Sequence, residues 1–293
     1  MHIFVNSALP RSRKGVKPPR FDVETRKLVS SNIGTMVSKS YLKPGFLRTS
    51  LHYFAVPKGD DDIRVVFDGT SCGLNETLWS PNFFLPTSRN ASELLSFETW
   101  MLDVDFAEFF HNFFADSRIR KHAEVDLSPL FPFFDHAAIR QSDESDLKFM
   151  GLRWGRLFMG TRPSPYNAVR FYYWGEEFAI GNLRNLSNPF GFDGVTLNLP
   201  GMDSYDPTRP KMMKWNSEKN HISGGVVTFV DDVRMTGSSR EHSHEVHRQF
   251  PSRMQYLGIQ DAPRKFRPPS QDQAGAWTGT IFKITKNVMD KGS

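Results

Sequence analysis

Cysteine is nearly missing from this chain, since Cys72 is its single cysteine in 293 residues. One thiol cannot form an internal disulfide or a zinc site built from several cysteines, and it suits a reducing compartment. The N-terminus turns basic before an apolar signal region can develop, and no apolar run is long enough to span a bilayer. We therefore expect an intracellular protein, cytoplasmic or nuclear, with no membrane partner.

Motifs of hydrolases and of P-loop enzymes are missing as well. The sequence contains no Ser-x-x-Lys, no Gly-x-Ser-x-Gly and no Walker-type loop, so these chemistries have no support. His242, His244 and His247 lie close in sequence, but their spacing does not give the i, i+4 pair of a helical metal site. A solvated helix face is the better interpretation of these histidines.

The composition that remains is that of a globular protein with a basic surplus. Hydrophobic residues make up 39% and charged residues 24% of the chain, and the formal net charge is +5. The surplus favours a polyanionic partner such as a nucleic acid. Residues 1–19 predict a basic flexible arm that contacts a phosphate backbone, with a plain disordered terminus as the alternative.

Hydrophobic patterns predict strands and helices that are mixed rather than strictly alternating, which favours the α+β class. In the first half they predict a hairpin of Leu51–Val56 with Ile63–Phe67, a helix from the capping box Asn90–Glu93 to about Phe97, a strand Trp100–Asp105, and a second hairpin within Phe149–Met159 that turns near Gly155.

The second half continues in the same mixed manner. Its predicted elements are a helix Tyr166–Ile180 with Pro165 in its first turn, a long inserted loop 188–224, a strand Val226–Val230, a helix from the capping box Ser238–Glu241 that Pro251 bends or ends, and a β-type segment Ala274–Ile281.

The most informative motif is Phe229-Val230-Asp231-Asp232, in which an apolar run ends in two adjacent carboxylates. Clustered carboxylates are costly unless a cation neutralises them, and a two-metal phosphoryl-transfer site needs acids from two separate strands. A solvated turn is the alternative for an isolated Asp-Asp pair. Asp105, at the end of its predicted strand, is the best candidate partner, and Asp103 is its rival on the same face.

Six segments between about residues 51 and 282 resemble, in the same order, the reverse transcriptases of retrotransposons and retroviruses. The segments are Val56-Pro57-Lys58-Gly59 with Arg64–Asp68 and Leu74-Asn75, Asp105–Phe110, Trp154–Gly160 with Ser164-Pro165, Phe229-Val230-Asp231-Asp232, Leu257-Gly258-Ile259 with Arg264-Lys265, and Trp277-Thr278-Gly279. The family has an aromatic residue five positions after its first metal-binding Asp. Phe110 therefore favours Asp105 over Asp103.

The resemblance implies a right-hand polymerase, with fingers over 20–100 and a palm over 101–282 whose antiparallel sheet is backed by helices. Residues 188–224 are then an inserted loop of the palm, and 283–293 form a tail. The resemblance also leads us to expect that the thumb is largely absent.

The resemblance further implies catalytic roles for four residues. Asp105 and Asp231 would bridge two Mg²⁺ ions, with Mn²⁺ as a substitute, and Asp232 is the weaker metal ligand. Lys265 would supply a proton to the leaving pyrophosphate or hold a phosphate, and a basic surface run, Arg264 to Arg267, is its alternative interpretation.

Substrate-binding roles follow from the same resemblance. Lys58 and Arg64 would neutralise the triphosphate of the incoming nucleotide, and Phe110 would exclude a 2′-hydroxyl and so select dNTPs. Gly160 would let the backbone approach the template or nucleotide, and Ser164 and Pro165 would begin the supporting helix. The alternatives are a solvated hairpin for the two cations, core packing for the aromatic ring and a simple turn for the glycine.

The sequence thus predicts an RNA-directed DNA polymerase domain of a retroelement. Its partners would be an RNA or DNA template-primer, dNTPs and further polyprotein domains such as RNase H and integrase. The alternative is a catalytically inactive polymerase-like fragment that binds nucleic acid, or a retroelement remnant.

Overall fold

The computed structural model of the chain describes residues 19–45, 50–59, 62–95, 99–130, 151–271, 276–278 and 280–281. The predicted arm 1–19 lies outside these residues except for Pro19, and the predicted tail 283–293 and Gly279 lie outside them entirely. None of the described helices is both long and apolar enough to cross a membrane.

The described residues fold into six helices and fourteen strands. In chain order, the helices are α1 (Val23–Ser38), α2 (Leu74–Thr77), α3 (Ser88–Ser92), α4 (Ser117–Arg120), α5 (Ser164–Ile180) and α6 (Arg240–Tyr256). The strands are β1 (Leu42–Gly45), β2 (His52–Lys58), β3 (Asp62–Asp68), β4 (Trp100–Asp105), β5 (Glu124–Asp126), β6 (Gly151–Trp154), β7 (Gly194–Leu197), β8 (Met212–Asn216), β9 (His221–Ile222), β10 (Gly225–Phe229), β11 (Asp232–Gly237), β12 (Arg267–Ser270), β13 (Ala276–Trp277) and β14 (Thr280–Ile281). All strand pairs in the sheets are antiparallel, which confirms the α+β class.

The chain divides into two compact units. The first comprises the residues up to Asn82 together with Phe110–Ala168, and the second comprises Phe83–Phe109 together with the residues from Val169 onward. Each unit therefore takes residues from both sides of the boundary at 100/101 that the sequence predicts. The fingers and palm ranges stay a prediction.

The first unit contains the sheet β1-β6-β5, the hairpin β2-β3 and the helix α1. Helix α1 begins where the Asp22 carboxylate accepts a hydrogen bond from the Thr25 N–H at 2.8 Å, and it buries Val29 and Ile33 in an apolar core. The predicted hairpin of 51–56 with 63–67 is confirmed, because β2 and β3 pair from His52 opposite Asp68 to Lys58 opposite Asp62.

The second hairpin predicted within 149–159 is wrong. Strand β6 pairs with β1 and β5, which are distant in sequence, and Gly155 does not form a turn between adjacent strands. Its N–H donates to the Tyr41 carbonyl at 2.8 Å, and its carbonyl accepts from the Ala115 N–H at 3.1 Å. Backbone pairing between residues distant in sequence thus determines the structure of this segment, which local sequence pattern could not predict.

The second unit contains the four-stranded sheet β10-β11-β4-β12, together with α6 and most of α5. The predicted strand Trp100–Asp105 is confirmed as β4, the strand predicted over 226–230 as β10 and the helix predicted over 166–180 as α5. Helix α6 packs against β4 and β11 with Val246, Phe250 and Met254 fully buried.

Both predicted capping boxes are displaced in the structure. Helix α3 is capped by Thr87, with Asn90 as the partner three residues on, and it ends at Ser92 instead of near Phe97, which lies outside the described residues. Helix α6 is capped by Ser239, whose hydroxyl accepts from the His242 N–H at 3.0 Å. Neighbouring Ser, Thr and Asn residues compete for a cap, so sequence alone places it only approximately.

Pro251 lies inside α6, which continues to Tyr256, so the expectation that it could end the helix is wrong. Proline removes one backbone donor and crowds the carbonyl four residues earlier. The buried side chains of Phe250 and Met254 on either side hold the helix against the sheet. Tertiary packing therefore outweighs the local preference.

Residues 188–224 are not a structureless loop, because they contain the three-stranded sheet β7-β8-β9. Polar residues led us to expect a loop, but in the structure polar side chains of this segment form buried hydrogen bonds. Asn198, 3% exposed, donates to the carbonyls of Asp206 and Arg209 at 2.7 and 3.0 Å, and Asn216 donates to those of Leu186 and Gly191 at 2.8 and 3.1 Å. Side-chain amides thus replace missing backbone partners in the tight connections.

A candidate metal site on the four-stranded sheet

Strands β10 and β11 form a hairpin whose two-residue connection is Val230-Asp231. Phe229 pairs with Asp232 across it, and Val230 has a φ of 57°. A positive φ at the first connecting residue matches the turn twist of hairpins but usually requires glycine, so a β-branched residue there is strained. Strain of this kind costs of order 1–3 kcal/mol and collects at functional sites.

The register between β4 and β11 brings the predicted acids together. Asp105 lies directly opposite Asp232, and the Phe106 N–H donates to the Asp231 carbonyl at 3.4 Å. Residues directly opposite each other in an antiparallel pair project from the same face. We call Asp105, Asp231 and Asp232 the acidic row.

A positive side chain lies beside the acidic row. Lys265, in the short 3-10 helix Pro263–Lys265, forms an ion pair with the Asp105 carboxylate, and its side chain is 54% exposed. Both residues line a cavity of about 340 Å³ together with Asp103, Asp232 and Arg264. The predicted residues Asp105, Asp232 and Lys265 therefore share one cavity.

Asp232 experiences the charge crowding most directly. Its pKa is raised by burial and by the negative charges of Asp231 and Asp105, and a hydrogen bond from the Thr278 N–H and the charge of Lys265 oppose the shift only in part. The Trp277 indole N–H also donates to the Asp232 carbonyl at 3.1 Å, which fixes the backbone at this position. A cation would relieve the repulsion.

Asp103, the rival of Asp105 two residues earlier on β4, is neutralised within the protein. Its carboxylate accepts two hydrogen bonds from the fully buried Arg234 guanidinium, at 2.8 and 2.9 Å. Arg234 lies opposite Asp103 on β11, and Arg267 lies opposite it on β12. We call Arg234, Asp103 and Arg267 the paired row; its bidentate ion pair makes Asp103 a poor metal ligand.

The donor chemistry of the acidic row fits Mg²⁺, which binds carboxylate oxygens and retains waters. Within the described residues, no group of three or more His, Cys, Asp or Glu side chains is arranged to hold a metal ion. One reason is that the Asp105 carboxylate faces Lys265, with which it forms an ion pair. The row thus supplies suitable ligands whose side chains need to turn towards a common ion.

A larger cavity of about 560 Å³ lies elsewhere in the second unit, between the sheet β7-β8-β9 and the strands β10 and β11. It contains Glu176, whose carboxylate accepts a hydrogen bond from the Thr228 hydroxyl at 2.6 Å and whose pKa is raised to about 7 by burial. None of the predicted site residues lines this cavity. The smaller cavity is therefore the one that matches the predicted chemistry.

His242 behaves as a structural group. His242 is 4% exposed, and both of its ring nitrogens have partners: Nε2 contacts the Pro189 carbonyl at 2.9 Å, and Nδ1 accepts from the Ser238 N–H at 3.1 Å. The prediction of a solvated helix face is wrong for His242, which is buried, whereas His244 on the same helix is exposed.

In the first unit, Gly160 occupies a position that no other residue fits. Its φ is 105°, and a Cβ would lie 1.7 Å from the Phe67 carbonyl oxygen. The Gly160 carbonyl accepts hydrogen bonds from the Gly69 N–H at 3.1 Å and from the Asn75 side-chain NH₂ at 2.9 Å. The side-chain oxygen of Asn75 in turn accepts from the Arg162 N–H at 2.7 Å. The glycine therefore allows close backbone approach within the unit.

Ser164 and Pro165 begin α5, as the sequence predicts. Ser164 is 1% exposed, and its hydroxyl pairs with the Thr161 hydroxyl at 2.5 Å, so it acts as a buried turn residue. Pro165 and Gly160 line a shallow cavity of about 390 Å³ beside the hairpin β2-β3.

The remaining predicted residues are spread over the first unit. Lys58 and Arg64 are both exposed on the β2-β3 hairpin, and Lys58 forms an ion pair with Asp62 at 3.2 Å. Phe110 is half-buried in the 3-10 helix Phe109–Asn112. None of these three residues lines the cavity that contains Asp105.

Two contributors to the site escape sequence reasoning. Arg234 lies only two positions after the Asp-Asp pair, and a basic residue inside an apolar strand signals a buried ion pair, but its partner depends on the β4–β11 register. The hydrogen bond from Trp277 to Asp232 likewise depends on tertiary placement.

Comparison with known proteins gives a structural answer only. No family model and no curated protein matches the chain. Among solved structures, the chain is similar to a foamy viral protease-reverse transcriptase in complex with double-stranded DNA, with a TM-score of 0.55 and 12% sequence identity. The chain has a reverse-transcriptase-like fold. The likeness covers 91% of this chain, which spans 37% of the length of that protein.

Proposed function

We propose that the chain is an RNA-directed DNA polymerase domain, which transfers dNTPs onto a primer 3′-hydroxyl by a two-metal mechanism. The observation that carries this proposal is the acidic row, in which Asp105 faces Asp232 across two strands and Asp231 adjoins both. The fold likeness to a reverse transcriptase supports it independently. We assign fingers to 20–100 and palm to 101–282.

In this proposal, Asp105, Asp231 and Asp232 hold two Mg²⁺ ions, or Mn²⁺ in their place. When bound, such ions lower the pKa of the primer hydroxyl and neutralise the triphosphate and its leaving group. The Lys265 ammonium, which forms an ion pair with Asp105 in this structure, would supply a proton to the leaving pyrophosphate. Its half-exposed side chain and adjacent position support this role.

The first unit supplies substrate contacts in the same proposal. Lys58 and Arg64 are exposed on one hairpin, where they can reach triphosphate oxygens. The half-buried Phe110 discriminates against a 2′-hydroxyl, and Gly160 and Pro165 shape the surface that meets the template or nucleotide. An RNA or DNA template-primer and further polyprotein domains are the expected partners.

Primer extension on an RNA template with Mg²⁺ tests the proposal. We expect Asp231→Asn and Asp105→Asn each to lower dNTP incorporation by more than about a hundredfold, as loss of a transition-state electrostatic contact does. Asp203→Asn, which changes an exposed acid of the inserted segment, is the matched control and leaves incorporation unchanged. Absence of incorporation by the wild-type protein, or full activity of Asp231→Asn, contradicts the proposal.

An inactive polymerase-like fragment that binds nucleic acid, or a retroelement remnant, is the second candidate. One feature favours this candidate. Among the residues that the structure describes, no group of three or more His, Cys, Asp or Glu side chains is arranged to hold a metal ion. Nucleic-acid binding that persists unchanged without divalent metal, together with absent primer extension, would support this candidate over the first.

A further inference from the structure

An exposed aromatic side chain projects from the first unit at Phe114. Its neighbours Phe113 and Ala115 are buried, whereas Phe114 is 67% exposed. Phe114 pairs with Arg156 through an isolated antiparallel bridge, and in extended backbone alternate side chains point to opposite sides. The extended geometry therefore directs this ring to solvent while its neighbours enter the core.

Two arginines are held beside the Phe114 ring. The Arg156 guanidinium lies 3.8 Å from the ring centroid, and that of Arg120 lies 6.0 Å from it. Backbone carbonyls anchor both cations, since Arg156 donates to Asn112 at 3.4 Å and Arg120 donates to Ala115 at 2.8 Å. These contacts thus hold both guanidinium groups beside the ring and restrict their motion in solvent.

The surroundings of this ring are positively charged. Lys121 follows Arg120 in the sequence and is exposed. The acid beside the group, Asp116, already accepts two hydrogen bonds from the Arg118 guanidinium at 2.9 and 3.1 Å. The net charge around the ring is therefore positive, and it can be neutralised by an anionic ligand.

We propose that Phe114, Arg120, Lys121 and Arg156 form a binding surface for single-stranded nucleic acid. A base stacks on the Phe114 ring or on the guanidinium against it, and the cations contact the adjoining phosphates. One exposed ring is too small for the apolar centre of a protein interface, whereas a single ring among fixed cations suits a stacked base. This surface goes beyond the proposed chemistry and does not depend on the acidic row.

Fluorescence anisotropy with a labelled single-stranded DNA of about 15 nucleotides, a length within the range that such surfaces occupy, tests the proposal in EDTA without dNTPs. We expect Phe114→Ala to weaken binding roughly 5- to 150-fold, the equivalent of one lost base stack, and Phe114→Trp to restore it. Phe84→Ala is the matched control, because Phe84 is 95% exposed and has no basic residue within four sequence positions.

An abasic strand of the same length separates stacking from charge. Here Phe114→Ala and the wild type should bind equally, whereas Arg156→Gln should still bind more weakly and lower the salt slope by about 0.7. The proposal is overturned if Phe114→Ala binds the normal strand as the wild type does, or loses the same factor on the abasic strand. A change in the self-association of the protein with no change in DNA binding also overturns it, in favour of a second copy.

The outcome is distinct from that of the polymerase proposal. A loss of binding in Phe114→Ala without any dNTP incorporation by the wild type retains the surface and rejects the polymerase. Mg²⁺-dependent dNTP incorporation by the wild type, together with unchanged DNA binding by Phe114→Ala, retains the polymerase proposal and rejects the binding surface.

Discussion

The paired row and the acidic row lie two residues apart on β4 and use the same residue type in opposite ways. Asp103 has an arginine opposite it on each neighbouring strand, whereas Asp105 has the carboxylate of Asp232 opposite it. In the first row the Asp103 carboxylate is neutralised by its ion pair with Arg234, whereas the second row concentrates negative charge that raises the pKa of Asp232. The difference teaches that position on the strand does not decide whether a carboxylate is neutralised within the protein; the cross-strand neighbours do.

Removal of Arg234 should have the largest effect on this comparison. Arg234→Met leaves Asp103 largely buried without its cation, and breaking such a pair costs about 3–5 kcal/mol of unfolding free energy. Arg267→Met, at the exposed position across β12, serves as the control and should cost less than about 1 kcal/mol. Chemical denaturation measures both, and equal losses would show that the buried pair is not what stabilises the row.

The acidic row should show the opposite response. Because burial and like charges raise the pKa of Asp232 in the folded state, its stabilising contribution is complete below its ordinary value of 3.8 and is lost as pH rises through the raised value. Asp232→Asn should therefore be more stable than the wild type at neutral pH, by less than the Arg234 loss, and the difference should shrink on acidification.

Asp62 supplies a control of opposite sign for the acidic row. Hydrogen bonds from the Ile63 N–H and from Lys58 lower its pKa, so its contribution is present above 3.8 and lost as pH falls. Thermal unfolding of Asp232→Asn and Asp62→Asn from about pH 2 to pH 8, a range that extends below the ordinary carboxyl pKa, compares them. A gain from Asp232→Asn that grows towards low pH would refute charge crowding.

His242 gives the smallest expected effect and separates the acids from other titrating groups. Burial lowers its pKa, although its hydrogen bond with the Pro189 carbonyl opposes the shift. Its contribution is present above 6.5 and declines as pH falls below that value, so His242→Gln should flatten the acid side of the stability profile. The same profile as the wild type below pH 6.5 would mean that the pKa of His242 does not differ between the folded and the unfolded state.

Sequence reasoning found the acidic row because its signals are local. The apolar run before Asp231 predicted β10, and period-2 alternation placed Asp103 and Asp105 on one face of β4. It could not find the pairing of Asp103 with Arg234, since register between strands distant in sequence depends on the whole sheet. For the same reason it mistook β6 for half of a local hairpin and the segment 188–224 for a loop.

Direct titration with Mn²⁺, followed by electron paramagnetic resonance, tests most directly whether the acidic row and not the paired row holds the cation. We predict that Asp105→Asn weakens Mn²⁺ binding by more than about tenfold, a loss typical of disrupted metal sites. The double variant Asp103→Asn/Arg234→Met, which removes both charges of the buried pair together, should bind Mn²⁺ as the wild type does. Unchanged binding by Asp105→Asn, with binding lost in the double variant, would contradict the account.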